Sequence, residues 1–556
     1  MRIHDQVKDA ARRAVKCLAA PGMPPFCRKL LAMPLLVLAF IDTASAAETD
    51  SPAHCASLAA LSTPGFRVDT AQWVAAERVP AGPAGVTMQL PDHCLFQVVL
   101  EPRASGLDEL SYGTGFELRL PLEWNGRFLF QGGGGLNGVL NPALGTVAGA
   151  PSALQRGFAV VSTDGGHRGR NALDTRFGGD QQAKLDFAYQ AVQKTTHEAK
   201  ALIEDYYGRA PEYSYFMGCS TGGREAMLAA QRLPLEFDGV VAGDPAFSFT
   251  RLVLNQVWSL QAVTRIAPRD DKGQPRLYDA FTDTQLQAVA SGVLEQCDAL
   301  DGLSDGMIND FEACAFDPAG LQCGATDAPA TGQCLARAQV TALKDIVGGV
   351  RNSRGESLYG DTPYDTGIAQ PAWRGMHLGT ATNPPGNATL GRDTLRLYAM
   401  TPPAPDLDPL QFDFDRDVAT TYETAALNDA VATLHSTFVD QGGKLIVYNG
   451  LSDQGMWTGP LVDWYENLIP RATSGPQDWA RLFLIPGMTH CAGGQATDQF
   501  DMLSAIQAWV EDNEPPLQVL ATGRAFPGLS RPLCPYPQVA RFDGGDPNDA
   551  ASFSCR

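Results

Sequence analysis

Short apolar runs bounded by turn residues recur along the first half of the chain. Residues 116–120 alternate apolar and polar side chains, 128–130 lead into four glycines, and 158–162 end at Asp164-Gly165-Gly166. Runs of this length suit buried strands of a largely parallel sheet. Residues 183–207 follow a helical period instead; 213–217 read as a strand and 224–232 as a helix. The regularity lapses over 247–431, which is rich in Pro, Gly and Asp. It returns as a strand at 444–448, a helix at 461–468, a strand at 482–485 and a closing helix at 500–510. Alternation of strands and helices predicts an α/β sheet. Residues 47–246 and 432–556 would build it, with 247–431 inserted as a second domain.

The first 46 residues read as an export signal. Arg28 and Lys29 precede an apolar run at 30–41, and Ala44-Ser45-Ala46 offers a small-residue cleavage site. The leader before Arg28 is long, which makes Met23 an alternative start. The run is short for a membrane span, so the mature protein is expected to be secreted or periplasmic, with no membrane partner. The formal charge of −20 argues against nucleic acid, whose phosphates need a basic surface.

Twelve cysteines are present, and Cys17 and Cys27 fall in the leader. An even ten in an exported chain points to disulfides. Spacing suggests the local pairs Cys55 with Cys94, Cys297 with Cys314, Cys323 with Cys334, and Cys534 with Cys555. Cys219 and Cys491 remain. The absence of any tight C-x-x-C pair argues against zinc.

Gly218-Cys219-Ser220-Thr221-Gly222 fits G-x-S-x-G between a predicted strand and a predicted helix, the setting that pushes a serine hydroxyl clear of a sheet. The Thr221 amide at the helix start can stabilise an oxyanion, and the glycine run beginning at Gly132 is the candidate for the second donor. A serine hydroxyl needs a base and the base an orienting acid. Asp453 follows the strand at 444–448 and His490 the strand at 482–485, in the order Ser, acid, His. Ser and His must come within roughly 3 Å in reaction. The two cysteines left over, Cys219 and Cys491, are their immediate neighbours, and a bridge between them would tie the two loops together. Within the insertion, Asp298, Asp301 and Asp305, with the carbonyls of Leu303 and Met307, form either an oxygen-rich loop for calcium or an acidic turn closed by Cys297 and Cys314. No organic cofactor is implied.

These residues together resemble the tannase/feruloyl esterase family: a Cys-Ser pair, an Asp and a His-Cys pair, in that order. Trp124-Asn125-Gly126-Arg127-Phe128, Gly222-Gly223-Arg224-Glu225, Cys297-Asp298-Ala299-Leu300-Asp301-Gly302 and Arg531-Pro532-Leu533-Cys534-Pro535-Tyr536-Pro537 carry the likeness over essentially the whole mature chain. It implies an α/β-hydrolase fold with a large inserted lid domain, five disulfides, a structural Ca2+ in the aspartate loop, and hydrolysis of small aromatic esters of the feruloyl, galloyl or terephthalate-monoester type. It also implies substrate contacts at Met456, at Leu390 and at either Arg392 or Arg396. The competing reading is a catalytically silent, calcium-stabilised binding protein on the same scaffold.

Overall fold

In the run Arg127–Gln131, Phe128 and Phe130 point to one side of the sheet and Leu129 to the other, and all three are fully buried. Tyr215 and Phe216, Val240 and Val241, and Ile446 and Val447 divide between the faces in the same way. Apolar residues on both faces require helices on both faces. Ala191–Tyr207, Thr221–Arg232 and Thr458–Glu466 cover one side, and Met502–Glu511 covers the other.

The computed structural model describes residues 52–80, 87–104, 110–324, 332–470 and 475–556. The expected export signal and both candidate starts lie outside them. The central sheet has ten strands: β1 (Phe66–Val74), β2 (His93–Ala104), β3 (Ser111–Pro121), β4 (Arg127–Gln131), β5 (Ala159–Thr163), β6 (His167–Arg168), β7 (Tyr213–Cys219), β8 (Gly239–Gly243), β9 (Lys444–Gly450) and β10 (Ala480–Ile485). Their order is β1-β2-β3-β5-β4-β7-β8-β9-β10, with β6 paired to β3. From β5 to β10 neighbouring strands run parallel. The expectation of parallel strands fails at the other end, where β1, β2 and β3 pair antiparallel and β3 pairs antiparallel with β5. The alternation in β3 belongs to this part, which a hairpin-type connection builds without a crossover helix.

Between β8 and β9 the described residues form helices and no strand, among them Phe249–Ile266, Asp283–Cys297 and Arg337–Val347. They pack around Val257, Phe281, Leu343 and Tyr398. Tyr112, Phe177 and Phe187 from the first segment join the same apolar cluster, so the inserted segment shares its core with the sheet domain. Residues 52–556 form one compact unit.

Five disulfides are present: Cys55–Cys94, Cys219–Cys491, Cys297–Cys314, Cys323–Cys334 and Cys534–Cys555. The parallel strands end in loops on one edge, and glycines let those loops pass close together. At Gly450, the last residue of β9, an added Cβ would sit 2.2 Å from the Met488 carbonyl oxygen, so the loops after β9 and β10 are in backbone contact. Ser452 N–H also donates to Met488 O at 3.0 Å. Gly450→Ala is therefore expected to cost about 1–3 kcal/mol through overpacking, read as a lowered Tm; an unchanged Tm would mean that the loops have slack there.

Candidate active site

Ser220 stands at the turn from β7 into the helix Thr221–Arg232, with φ +65°. That region is strained for a residue with a Cβ. The turn is pinned from both sides: Ser220 N–H donates to Gly243 O at 2.9 Å, and Ser220 O accepts from Ala246 N at 3.1 Å and Arg224 N at 3.0 Å. Only small neighbours fit, since a Cβ on Gly222 would fall 2.6 Å from Gly133 O. Among the described residues, the Ser220 side chain makes no hydrogen bond, as is common in a site without substrate.

The loops after β9 and β10 bring Asp453 and His490 together. His490 Nδ1–H donates to Asp453 Oδ2 at 2.7 Å, leaving Nε2 as the nitrogen that can take a proton. Asp453 Oδ1 accepts from Gly455 N at 2.8 Å and Met456 N at 2.9 Å. Burial works against charge on Asp453, but His490 and the two amides outweigh it and hold the carboxyl below its ordinary range. Burial likewise opposes charge on His490, and the Asp453 carboxylate outweighs it, so the imidazole is more basic than usual. The other buried histidines behave differently. Desolvation pushes His167, His377 and His435 down to about 4, which leaves them neutral.

Cys219 and Cys491 are bridged, with Cα atoms 5.9 Å apart. A cavity of about 470 Å³ opens beside Ser220 and His490. Val147, Met217, Tyr448, Phe500 and Met502 give it an apolar wall, and the glycines at 132–135 form its floor.

The oxyanion donors differ from expectation. Gly132 lines the cavity, but its N–H donates to Met217 O at 2.9 Å, continuing the β4–β7 ladder, so this amide is already engaged and the assignment of Gly132 as oxyanion donor is corrected. Gly133 N–H donates to the Glu225 carboxylate at 2.8 Å. The amides of Gly134, Gly135 and Thr221 make no hydrogen bond among the described residues. The Thr221 hydroxyl donates to Gly135 O, which ties the glycine run to the start of the nucleophile helix.

Met456, Leu390 and Arg392 do not line this cavity. Met456 and Leu390 pack against the apolar cluster of the insertion, and the Arg392 guanidinium is paired with Asp393 at 2.8 Å. Contact between these three residues and substrate stays an expectation of the resemblance.

Two residues in the site were not anticipated as functional. Glu225 is buried and accepts from Gly133 N and Asn137 Nδ2, each at 2.8 Å; burial pushes its pKa up, against the pull of Arg224 and those donors. It holds the glycine run from behind. Its signal was the Gly-Gly-Arg-Glu stretch after the nucleophile. Asp244 follows β8, is completely buried, and accepts from Gly450 N at 2.8 Å. Its signal was the glycine-bounded apolar run 239–243 that ends beside it.

In the aspartate loop, Asp298 Oδ1 accepts from Asp305 N and Gly306 N. Asp301 accepts from Leu303 N and Asn309 Nδ2. Asp305 is ion-paired with Arg531, and Arg541 reaches Asp310 at 2.5 Å, so the loop is docked onto the C-terminal segment. Burial raises the pKa of Asp298 and Asp301, and neither has a basic partner among the described residues. No hydrogen bond among those residues ends on the carbonyls of Leu303 or Met307. Two buried carboxylates without a basic partner among the described residues suit a hard cation.

Residues 103–556 match the family described as tannase and feruloyl esterase. The chain is 39% identical over 535 residues to a mono(2-hydroxyethyl) terephthalate hydrolase of Piscinibacter sakaiensis, covering 87% of this chain and 88% of that protein. It is 30% identical over 470 residues to a probable feruloyl esterase B-1 of Aspergillus oryzae, covering 79% and 80%. The crystal structure of feruloyl esterase B from Aspergillus oryzae superposes with a TM-score of 0.75 at 26% identity, over 91% of this chain and 100% of that one. The fold is that of an α/β hydrolase, and the chain is a carboxylic ester hydrolase that belongs to the tannase and feruloyl esterase family.

Proposed function

We propose that the protein is an exported esterase that cleaves esters of aromatic carboxylic acids through an acyl-enzyme on Ser220. The observation that carries this reading is the His490–Asp453 hydrogen bond of 2.7 Å, joined through Cys491 and the bridge to the residue preceding Ser220. Ser220 Oγ attacks the ester carbonyl while His490 Nε2 takes its proton. The carbonyl oxygen becomes an oxyanion facing the Thr221 amide and the unpaired amides of Gly134 and Gly135. His490 then gives the proton to the leaving alcohol, and water attacks the acyl-enzyme by the same route in reverse. Asp453 holds the Nδ1–H tautomer throughout. The apolar wall of the cavity suits a flat ring, and the names of the relatives supply the class: feruloyl or terephthalate-monoester acyl groups. Five disulfides support export to an oxidising compartment.

Ser220→Ala is expected to abolish hydrolysis and labelling by a fluorophosphonate probe, with the circular dichroism spectrum unchanged. Across a panel, methyl ferulate, methyl gallate and terephthalate monoesters should be turned over with kcat/KM about tenfold or more above alkyl acetates. Retained turnover in Ser220→Ala would overturn the nucleophile; equal turnover of acetates would overturn the aromatic class.

We also propose a structural Ca2+ held by Asp298, Asp301, Asp305 and the carbonyls of Leu303 and Met307. A hard cation there would neutralise the buried carboxylates and stabilise the docked loop. A ligand bound only by the folded state adds about 2.7 kcal/mol at one hundred times its Kd. EGTA should therefore lower Tm, added calcium should restore it, and a variant with Asp298→Asn and Asp301→Asn should not respond. A Tm indifferent to EGTA would contradict the site.

A further inference from the structure

Asp244 sits immediately after β8, between the nucleophile strand β7 and the acid strand β9. Its backbone is locked in place: φ is +35°, and Asp244 N–H donates to Tyr448 O at 2.7 Å. Its carboxyl is fully enclosed, and Gly450 N–H is the hydrogen bond it accepts, at 2.8 Å. Oxygens of Asp244 and Asp453 and a ring nitrogen of His490 all lie within 4.8 Å of one another. Two buried carboxyls and one partly exposed imidazole thus share a site. Among the described residues, no lysine or arginine is a leading influence on either carboxyl. The remaining neighbours are the Tyr448 phenol, itself made less acidic by burial and by Asp244, and the uncharged bridge, with Cys219 Sγ 3.7 Å from Asp244 Oδ2.

Two carboxylates this close in low dielectric do not both ionise while the imidazole is neutral; one keeps a proton. The donors decide which. Asp453 accepts from His490 Nδ1, Gly455 N and Met456 N, whereas Asp244 accepts from Gly450 N alone. The anion therefore belongs on Asp453. Resting on the triad reading above, we propose that Asp244 is a positioning residue whose protonated carboxyl donates a hydrogen bond to Asp453, fixing that acid as the anion behind His490.

Burial, then the Asp453 charge, favours the proton on Asp244, against the pull of His490 and the Gly450 amide. The consequence reaches the base. An anionic Asp244 would add to the pull of Asp453 on the imidazolium and make His490 a base that stays protonated at neutral pH. A neutral Asp244 removes that second charge. Its donated hydrogen bond also draws charge from the far side of Asp453, so His490 is oriented without being over-stabilised as a cation.

The test is the pH dependence of kcat/KM for p-nitrophenyl acetate, whose rise with pH reports His490 losing its proton. Asp244→Asn keeps a neutral donor and an acceptor for Gly450 N, so its midpoint should match the wild type. Asp244→Leu lacks the donor, so its midpoint should rise by about one unit, a tenfold loss of kcat/KM on the acid side. A midpoint that falls by about a unit in Asp244→Asn would mean that the wild-type side chain is an anion and would overturn the proposal. Identical midpoints in all three proteins would overturn it too. Infrared difference spectra of wild type against Asp244→Asn give a readout without turnover, and one that survives a failed fold of the Leu variant. The proposal requires a protonated-carboxyl C=O band at neutral pH that the Asn variant lacks; absence of that difference would contradict it. Because the band needs no catalysis, failure of the triad reading and failure of this proposal are separable.

Discussion

The bridge between Cys219 and Cys491 is the constraint on which the site depends. The sheet alone does not bring Ser220 to His490. Their loops leave β7 and β10, and β8 and β9 lie between. Three strand spacings amount to about 14 Å, yet the bridge holds the flanking Cα atoms at 5.9 Å. The loop after β10 must therefore fold back across the strand ends. Both Ser220 and Cys491 take positive φ, +65° in each, at a cost of about 1–3 kcal/mol apiece. A crosslink closing 272 residues offsets that cost with about 5.6 kcal/mol at most on the chain-entropy account. Gly450, whose Cα faces the Met488 carbonyl, lets the acid loop pass beneath the base loop as it returns.

Behind this frame the electrostatics are arranged in pairs of opposite demands. Asp453 is ionised although buried, because His490 and two amides stabilise the charge. Glu225, also buried, is spent on the glycine run rather than on chemistry, and Arg224 beside it is fully enclosed by the carbonyls of Ala188 and Phe187 and by Asn428. One turn of helix after the nucleophile thus anchors both the floor of the cavity and the helix's own position. The same economy holds in the insertion, where Arg531 and Arg541 fasten the aspartate loop to the C-terminal segment through Asp305 and Asp310.

Much of this was legible in the sequence because the informative signals are local. Strand, tight turn and helix around Ser220 occupy about twenty consecutive residues, and Asp453 and His490 each sit a few residues beyond a readable apolar run. The cysteines carried long-range information, since the two without a local partner flank Ser220 and His490. What escaped is set by register between distant segments. The Gly132 amide points at Met217 because β4 and β7 pair in that register, which no glycine count reveals. β8 is five residues bounded by glycines, and it is a strand only because β7 and β9 flank it; with it went Asp244. The mark that the antiparallel pairing of β2 and β3 leaves is the alternation at 116–120, set among apolar runs that suit parallel strands. Met456, Leu390 and Arg392 are placed by likeness alone; Met456 and Leu390 pack against the apolar cluster of the insertion, and Arg392 pairs with Asp393.

The claim that the bridge positions the site, beyond stabilising the chain, can be measured directly. Cys219 and Cys491 are both replaced by alanine and compared with a control in which Cys323 and Cys334 are replaced, at a temperature where circular dichroism shows both folded. A shift of about 1 Å between reacting groups costs on the order of 100-fold in rate. The account predicts a loss of kcat approaching that size in the first variant and little loss in the second; equal losses in the two would contradict it.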